Sequence, residues 1–305
     1  MAKRDIIVIG GSTGSGQVLK LLLSELPRDL EASVFITTHV PSGSGGYLAD
    51  MLDRTSALPV AQAIDGQPIE KGQVYVAPPD RHLIIDDGTV RLGDGPRENM
   101  ARPSIDPLFR SAALSYGPRA VGVIVTGMLN DGASGLWAIK QAGGTAVVQH
   151  PLDAEADQMP LAALDAVDAD AIPTAGELAQ VLTDISRTDA GPPVETPHGL
   201  ELEVDIAVGS RLGAENLREI ADPSALTCPD CFGVLSEVRD QRPLRYRCQI
   251  GHAQTAEVLA SRRQDVDEAL RLALRIMEER VTLVTRMAKD ARGAGRSAVA
   301  ELYEA

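Results

Sequence analysis

Ile6-Ile7-Val8-Ile9-Gly10-Gly11-Ser12-Thr13-Gly14-Ser15-Gly16 decides how this chain is read. A run of β-branched residues ends in a glycine-rich turn that carries a serine. Val18, Leu19, Leu22 and Leu23 then recur at helical spacing. Strand, tight turn and helix follow one another, which is the opening of an α/β unit. A serine in that turn sits at the carboxyl end of a strand, where open α/β sheets place their sites. It also lies near a helix N-terminus, whose dipole favours developing negative charge.

The alternation continues. Ser33–Thr38 reads as a second buried strand ending at His39, and residues 73–77 as a short third. Residues 83–86 and 89–92 flank Asp87-Gly88 as a hairpin. Residues 120–126 form another apolar strand, 133–142 a helix and 145–149 a further strand. This pattern predicts a doubly wound, mostly parallel sheet with helices on both faces. Aromatics are only 3% of the chain, so the core must be built from Val, Ile, Leu and Ala. A net charge of −14 speaks against nucleic acid and anionic membranes as partners. No apolar run reaches the length of a membrane span, and the start leads directly into a strand, so we expect a cytoplasmic chain without a signal peptide.

Residues 1–186 are read as the catalytic domain. A linker with short connecting elements, expected as a strand and a short helix after residue 200, covers 187–222 and includes Gly191, Pro192, Pro193 and Pro197. Residues 223–254 form a small cysteine module and 255–305 a long C-terminal helix. In that helix Leu270, Leu274, Met277, Val281 and Val284 make one apolar seam, which predicts self-association or a partner helix, the alternative being that the helix folds back on the catalytic domain.

The glycine-rich turn fits two chemistries. Gly10-Gly11-Ser12-Thr13-Gly14 matches the nucleophile elbow G-x-S-x-G. Gly10, Gly14 and Gly16 also fit a looser dinucleotide pattern. The dinucleotide reading needs a charged residue at the end of the second strand, where this chain has Thr37-Thr38-His39-Val40-Pro41. None of its tyrosines stands four residues before a lysine either, so an NAD(P)-binding dehydrogenase lacks support. A serine nucleophile needs a base and an orienting carboxylate. His39 ends the second strand, and Asp131 lies in the turn after 120–126. His150 and His82 compete as base. Each residue also has a plain structural reading: Ser12 as a helix cap, His39 as a strand-end histidine and Asp131 as a turn residue.

Cys228, Cys231, Cys248 and His252 form a Cys-x2-Cys and a Cys-x3-His pair, with no other cysteine in the chain. That set can close a tetrahedral structural zinc site in a zinc-ribbon-like module, or it can be a degenerate ribbon without metal.

Five ordered segments carry a resemblance: Gly-Gly-Ser-Thr-Gly at 10–14, Thr-Thr-His-Val-Pro at 37–41, Ala-Pro-Pro-Asp-Arg-His at 77–82, Arg-Pro-Ser-Ile-Asp-Pro-Leu-Phe at 102–109 and Val-Thr-Gly-Met-Leu-Asn-Asp-Gly at 125–132. Residues 6–185 resemble the catalytic domain of the chemotaxis protein-glutamate methylesterases, the CheB family. The resemblance implies a Ser12 nucleophile, a His39 base, an Asp131 orienter and the Met128 backbone N–H as oxyanion donor, with no catalytic cofactor. It implies hydrolysis of glutamyl methyl esters on chemoreceptor-type proteins with release of methanol, and deamidation of particular glutamines. A sensor kinase or methyltransferase of the same pathway would be a further partner. Relative to typical members, we expect this chain to lack a receiver domain and to carry a C-terminal extension. A non-catalytic signalling adaptor on the same scaffold is the alternative.

Overall fold

The computed structural model describes residues 2–304 apart from 41, 42, 44, 197, 211, 212, 240, 241 and 262, with the side chains of 263–266 and 304 set aside. Pro41 of the 37–41 segment and Pro197 of the linker therefore lie outside the described residues. Residues 1–258 form one compact unit and 259–305 a second.

The first unit is built on six parallel strands: β1 (Ile6–Gly11), β2 (Ser33–Thr38), β3 (Val60–Gln62), β4 (Val74–Val76), β7 (Ala120–Ile124) and β8 (Thr145–Val148). Their order is β3-β4-β2-β1-β7-β8. Ile7 lies beside Val34 and Val121, and Ile9 beside Ile36 and Val123. The winding runs outward from β1 through β2 in one direction and through β7 in the other. The switch point thus falls between β1 and β7, with the crevice at their carboxyl ends.

Strand residues alternate between two cores, as a pleated strand requires. Ile6 and Val8 pack with Phe35 and Tyr75 against α3 (Ile105–Tyr116), α4 (Ala133–Gln141) and α5 (Gln158–Ala166). Ile7 and Ile9 pack with Val34 and Ile36 against α1 (Ser15–Glu25), α2 (Tyr47–Asp53) and α6 (Leu178–Arg187). Both strand faces are covered, so β1, β2 and β7 read as continuous apolar runs rather than alternating ones. The expected hairpin forms as β5 (His82–Asp86) and β6 (Thr89–Gly93), a separate two-stranded sheet.

Beyond the linker the structure departs from expectation. The stretch 200–208 is not a strand but a helix, α7 (Leu200–Val208), followed by α8 (Ala214–Leu217). The sequence Leu-Glu-Leu-Glu-Val-Asp-Ile alternates in polarity and so mimics a strand. Its buried face, however, includes Leu200, Glu203, Val204 and Ala207, which is helical spacing with a glutamate inside it. Helix α7 packs so close to β6 that Gly95 N–H donates to Ala207 O (3.1 Å), and a Cβ at Gly93 would stand 2.2 Å from that oxygen.

The cysteine module is a four-stranded antiparallel sheet in the order β12-β11-β10-β9: β9 (Ala221–Thr227), β10 (Val234–Val238), β11 (Arg245–Cys248) and β12 (Ala253–Thr255), leading into α9 (Ala256–Ser261). The Pro-rich segment does not hold this module away from the parallel sheet. Buried charges join them. Arg110 of α3 pairs with Glu98, Arg245 pairs with Glu203 of α7, and Arg247 reaches Glu98 at 3.0 Å and Glu203 at 3.4 Å. All five side chains are at most 2% exposed. Burial raises a carboxylate's pKa, but here the three guanidinium groups outweigh it, holding Glu203 at about 2 and Glu98 well below the usual carboxylate range. Removing one member of such a cluster strands the opposite charge in the interior, at a cost of about 3–5 kcal/mol. The network therefore fixes the module's position against α3 and α7.

The second unit is a helical hairpin of α10 (Arg263–Gly293) and α11 (Ser297–Glu304), in which Ala288, Ala291 and Ala300 are buried. Leu270, Leu274, Met277 and Val281 are all more than half exposed. No helix among the described residues is long and apolar enough to cross a membrane.

Candidate active site and cysteine cluster

The Ser12 turn is held through its backbone N–H and carbonyl groups, with two side-chain hydroxyls among the partners. Ser12 N–H donates to Thr126 O (3.0 Å), and its carbonyl accepts from Ser15 N–H (3.0 Å) and Ser15 Oγ (2.6 Å). Thr126 Oγ1 donates to Thr13 O (3.0 Å), tying the turn to the end of β7. Gly14, with φ of 78°, caps α1, and Ser12 makes no side-chain cap bond. The hydroxyl is thus not a helix cap. It lines a cleft of about 490 Å³ together with His39, Asn99, Arg102, Met128 and Asp131. A Cβ at Gly127 would stand 2.8 Å from the Met159 thioether and 3.1 Å from the Ser12 Cβ, so glycine suits this close approach.

His39 emerges from the end of β2. Its Nε2–H donates to Asp131 Oδ2 at 2.7 Å, and the ring remains 27% exposed toward the cleft. Among the described residues Ser12 Oγ and His39 are not hydrogen-bonded to each other. Such bonds are commonly long before substrate closes the site.

Asp131 is 1% exposed. Its Oδ2 also accepts from Ile105 N–H (2.7 Å), and its Oδ1 accepts from Ser104 Oγ (2.7 Å), Asn99 Nδ2 (3.0 Å) and Asp106 N–H (3.4 Å). Ser104 is the N-cap of α3, so the carboxylate takes up N–H groups that the helix itself cannot satisfy. Burial would push its pKa up. The His39 bond and charge, Ile105 N–H and Asn99 together outweigh burial and hold it down. For His39, burial lowers the pKa but Asp131, assisted by Asp106, raises it further, and the net shift is upward. Asp106 lies beside this pair and accepts from Gly135 N–H (2.6 Å) and Asn99 Nδ2 (2.9 Å). Burial, then the Asp131 charge, push its pKa to about 7. The two carboxylates divide their roles: Asp131 carries the charge, and Asp106 holds its proton far longer on raising the pH.

The competing histidines go elsewhere. His82 is fully buried, with Nε2 on Pro96 O (2.9 Å) and Nδ1 accepting from Ser104 N–H (3.3 Å). His150 accepts from Leu152 N–H in its own turn (3.2 Å) and does not line the cleft. Met128 does line it, and its backbone N–H has no acceptor among the described residues, whereas Gly127 N–H and Leu129 N–H are taken by Ala156 O and Gln158 Oε1. The sequence alone does not single out Asn99, Ser104 or Asp106; Ser104 and Asp106 lie within the resembling segment 102–109, and Asn99 lies outside it.

Cys228, Cys231, Cys248 and His252 come together at one end of the module's sheet, with their ligand atoms within 4.8 Å of one another. Cys228 Sγ lies 3.8 Å from His252 Nδ1, Cys231 Sγ 3.6 Å from Cys248 Sγ, and Cys248 Sγ 3.5 Å from His252 Nδ1. With metal–sulfur bonds of ~2.3 Å and metal–nitrogen bonds of ~2.1 Å, a tetrahedral ion has edges of about this length. The four residues fit one.

Parallel sheet, crevice at the switch point, and a buried Asp–His pair beside an elbow serine make an arrangement of the serine-hydrolase kind. The family model described as CheB methylesterase matches residues 7–182, and the chain belongs to that family. A protein named protein-glutamate methylesterase/protein-glutamine glutaminase 2, from Anaeromyxobacter dehalogenans, is 38% identical over 186 residues, covering 61% of this chain and 54% of the relative. The match thus spans about half of that relative's length. A putative protein-glutamate methylesterase/protein-glutamine glutaminase from Leptospira interrogans is 37% identical and is covered to 96%. The crystal structure of the Thermotoga maritima CheB methylesterase catalytic domain superposes with a TM-score of 0.57 at 33% identity, over 60% of this chain and 98% of that one.

The electrostatics of the pair give a direct test. NMR titration of the His39 imidazole should show a midpoint above its ordinary value of 6.5. Asp131→Asn removes the charge that outweighs burial, so its midpoint should fall below the wild-type one. Equal midpoints would contradict the pairing.

Proposed function

We propose that this chain is a serine esterase that hydrolyses glutamyl methyl esters on chemoreceptor-type proteins, and that the same site deamidates glutamine. The observation that carries the reading is the buried Asp131–His39 hydrogen bond opening onto the cleft that Ser12 lines. With Nε2 engaged by Asp131, the serine proton passes to Nδ1 as Ser12 Oγ attacks the ester carbonyl. The resulting oxyanion sits against the Met128 N–H and the positive end of α1. Collapse of the intermediate breaks the carbonyl–O bond, and imidazolium returns its proton to the departing methoxide as methanol. Water, deprotonated by His39, then opens the acyl-serine to free glutamate. With a glutamine side chain the leaving group is ammonia instead. Asp131 keeps the imidazole in one tautomer and stabilises it when charged. No cofactor enters these steps.

We further propose that the Cys3His cluster holds a structural zinc ion, a closed site with no open position for substrate. The half-exposed seam Leu270, Leu274, Met277 and Val281 supports association of the C-terminal hairpin with itself or a partner helix.

Methanol release from a methylated receptor fragment tests the activity. Ser12→Ala should lower turnover by at least about a thousandfold while leaving the fold unchanged. A variant that keeps most of its turnover would overturn the assignment of Ser12.

Elemental analysis of protein purified without chelator should give about one zinc per chain. Cys228→Ser should lose the zinc and unfold at lower temperature. A metal-free wild type of unchanged stability would contradict the site.

A further inference from the structure

The residues that hold Asp131 are themselves held by the C-terminal module. Asn99 lies in a turn closed by Glu98 and Ala101, which exchange two backbone hydrogen bonds (3.2 and 2.9 Å). Asn99 and Met100 both have positive φ, 48° and 66°. Consecutive left-handed non-glycine residues are costly and persist only when surrounding contacts enforce them. Here those contacts come from β12. Asn99 N–H donates to Ala253 O (2.8 Å), and Ala253 N–H donates to Arg97 O (3.3 Å). Thr255 N–H donates to Asn99 Oδ1 at 3.2 Å. An amide has one oxygen and one nitrogen end. Engaging the oxygen with Thr255 obliges Nδ2 to face Asp106 and Asp131, which is where it is found.

Asn130, next to Asp131 in the chain, is 2% exposed and is satisfied by the same segment. Its Oδ1 accepts from Thr255 Oγ1 (2.8 Å) and its Nδ2 donates to Glu257 Oε2 (2.8 Å). Thr255 Oγ1 in turn accepts from Val258 N–H (3.2 Å), capping α9. Residues 253–257 therefore reach Asp131 along two routes, through the amide that donates to it and through the side chain adjacent to it.

We propose that β12 and the first turn of α9 are a positioning element of the active site: Thr255 and Glu257, acting through Asn99 and Asn130, set the Asp131 carboxylate against His39. This rests on the reading of Ser12, His39 and Asp131 as the catalytic triad. The extension is then a part of the catalytic centre's framework, and a change in the module changes the rate of the chemical step rather than the binding of substrate.

The test compares full-length wild type, Thr255→Val, Thr255→Ser and Glu257→Ala by kcat, KM and NMR titration of His39. Thr255→Val removes the hydroxyl and leaves the backbone donor. It should lower kcat about tenfold with KM unchanged, within the ~10²-fold that a 1 Å misplacement can cost. It should also move the His39 midpoint down toward 6.5. Thr255→Ser should restore both. Glu257→Ala, at an exposed side chain, should shift both in the same direction and to a lesser extent; if Thr255→Val does not fold, this variant decides. Wild-type kcat and an unmoved His39 titration in a folded variant would overturn the proposal. If wild type releases no methanol, the esterase reading fails, and the His39 titration alone still decides whether the module positions Asp131.

Discussion

The site depends on one carboxylate. Asp131 is taken out of water and given five donors: an imidazole, a serine hydroxyl, a carboxamide and two N–H groups at the start of α3. A buried carboxylate without donors would protonate and lose its hold on His39. With them it stays charged, and that charge raises the His39 pKa against the pull of burial. The geometry of β1, β2 and β7 makes this possible. Three parallel strands end at one level, and their three turns deliver a hydroxyl, an imidazole and a carboxylate to one crevice.

A second carboxylate makes the arrangement more demanding. Asp106 lies beside Asp131, and two neighbouring charges cannot both be buried at low cost. The Asn99 carboxamide bridges them, while the Gly135 N–H serves Asp106 separately. Farther out, Glu98, the residue before Asn99, is locked by Arg110 and Arg247. The turn carrying Asn99 is thus anchored on one side by α3 and on the other by the cysteine module. Electrostatics at the core of the catalytic domain and the fold of the extension are parts of one network.

Much of this was legible in the sequence, for physical reasons. Buried parallel strands advertise themselves as β-branched runs, and Ile6–Ile9 and residues 120–125 could be placed directly. Side chains in the turns at strand ends follow from that placement, and Ser12, His39 and Asp131 line one cleft. The cysteine cluster is legible because three cysteines and a histidine at knuckle spacing have few other uses. Glu98, Glu203, Arg110, Arg245 and Arg247 are not. Charged residues normally mark solvated faces, and only their mutual pairing across 149 residues of chain makes them core residues. The same blindness makes α7 read as a strand. Asn99 carried no signal of its own, since its role depends on a backbone N–H 156 residues away.

Reaction with a serine-directed fluorophosphonate, read by mass spectrometry of the intact chain and its peptides, tests the central claim most directly. The account predicts one adduct per chain, on the peptide bearing Ser12, formed faster as pH rises through the His39 titration and abolished in His39→Ala. A folded protein that takes up the reagent on another serine, or leaves Ser12 unmodified, would contradict it.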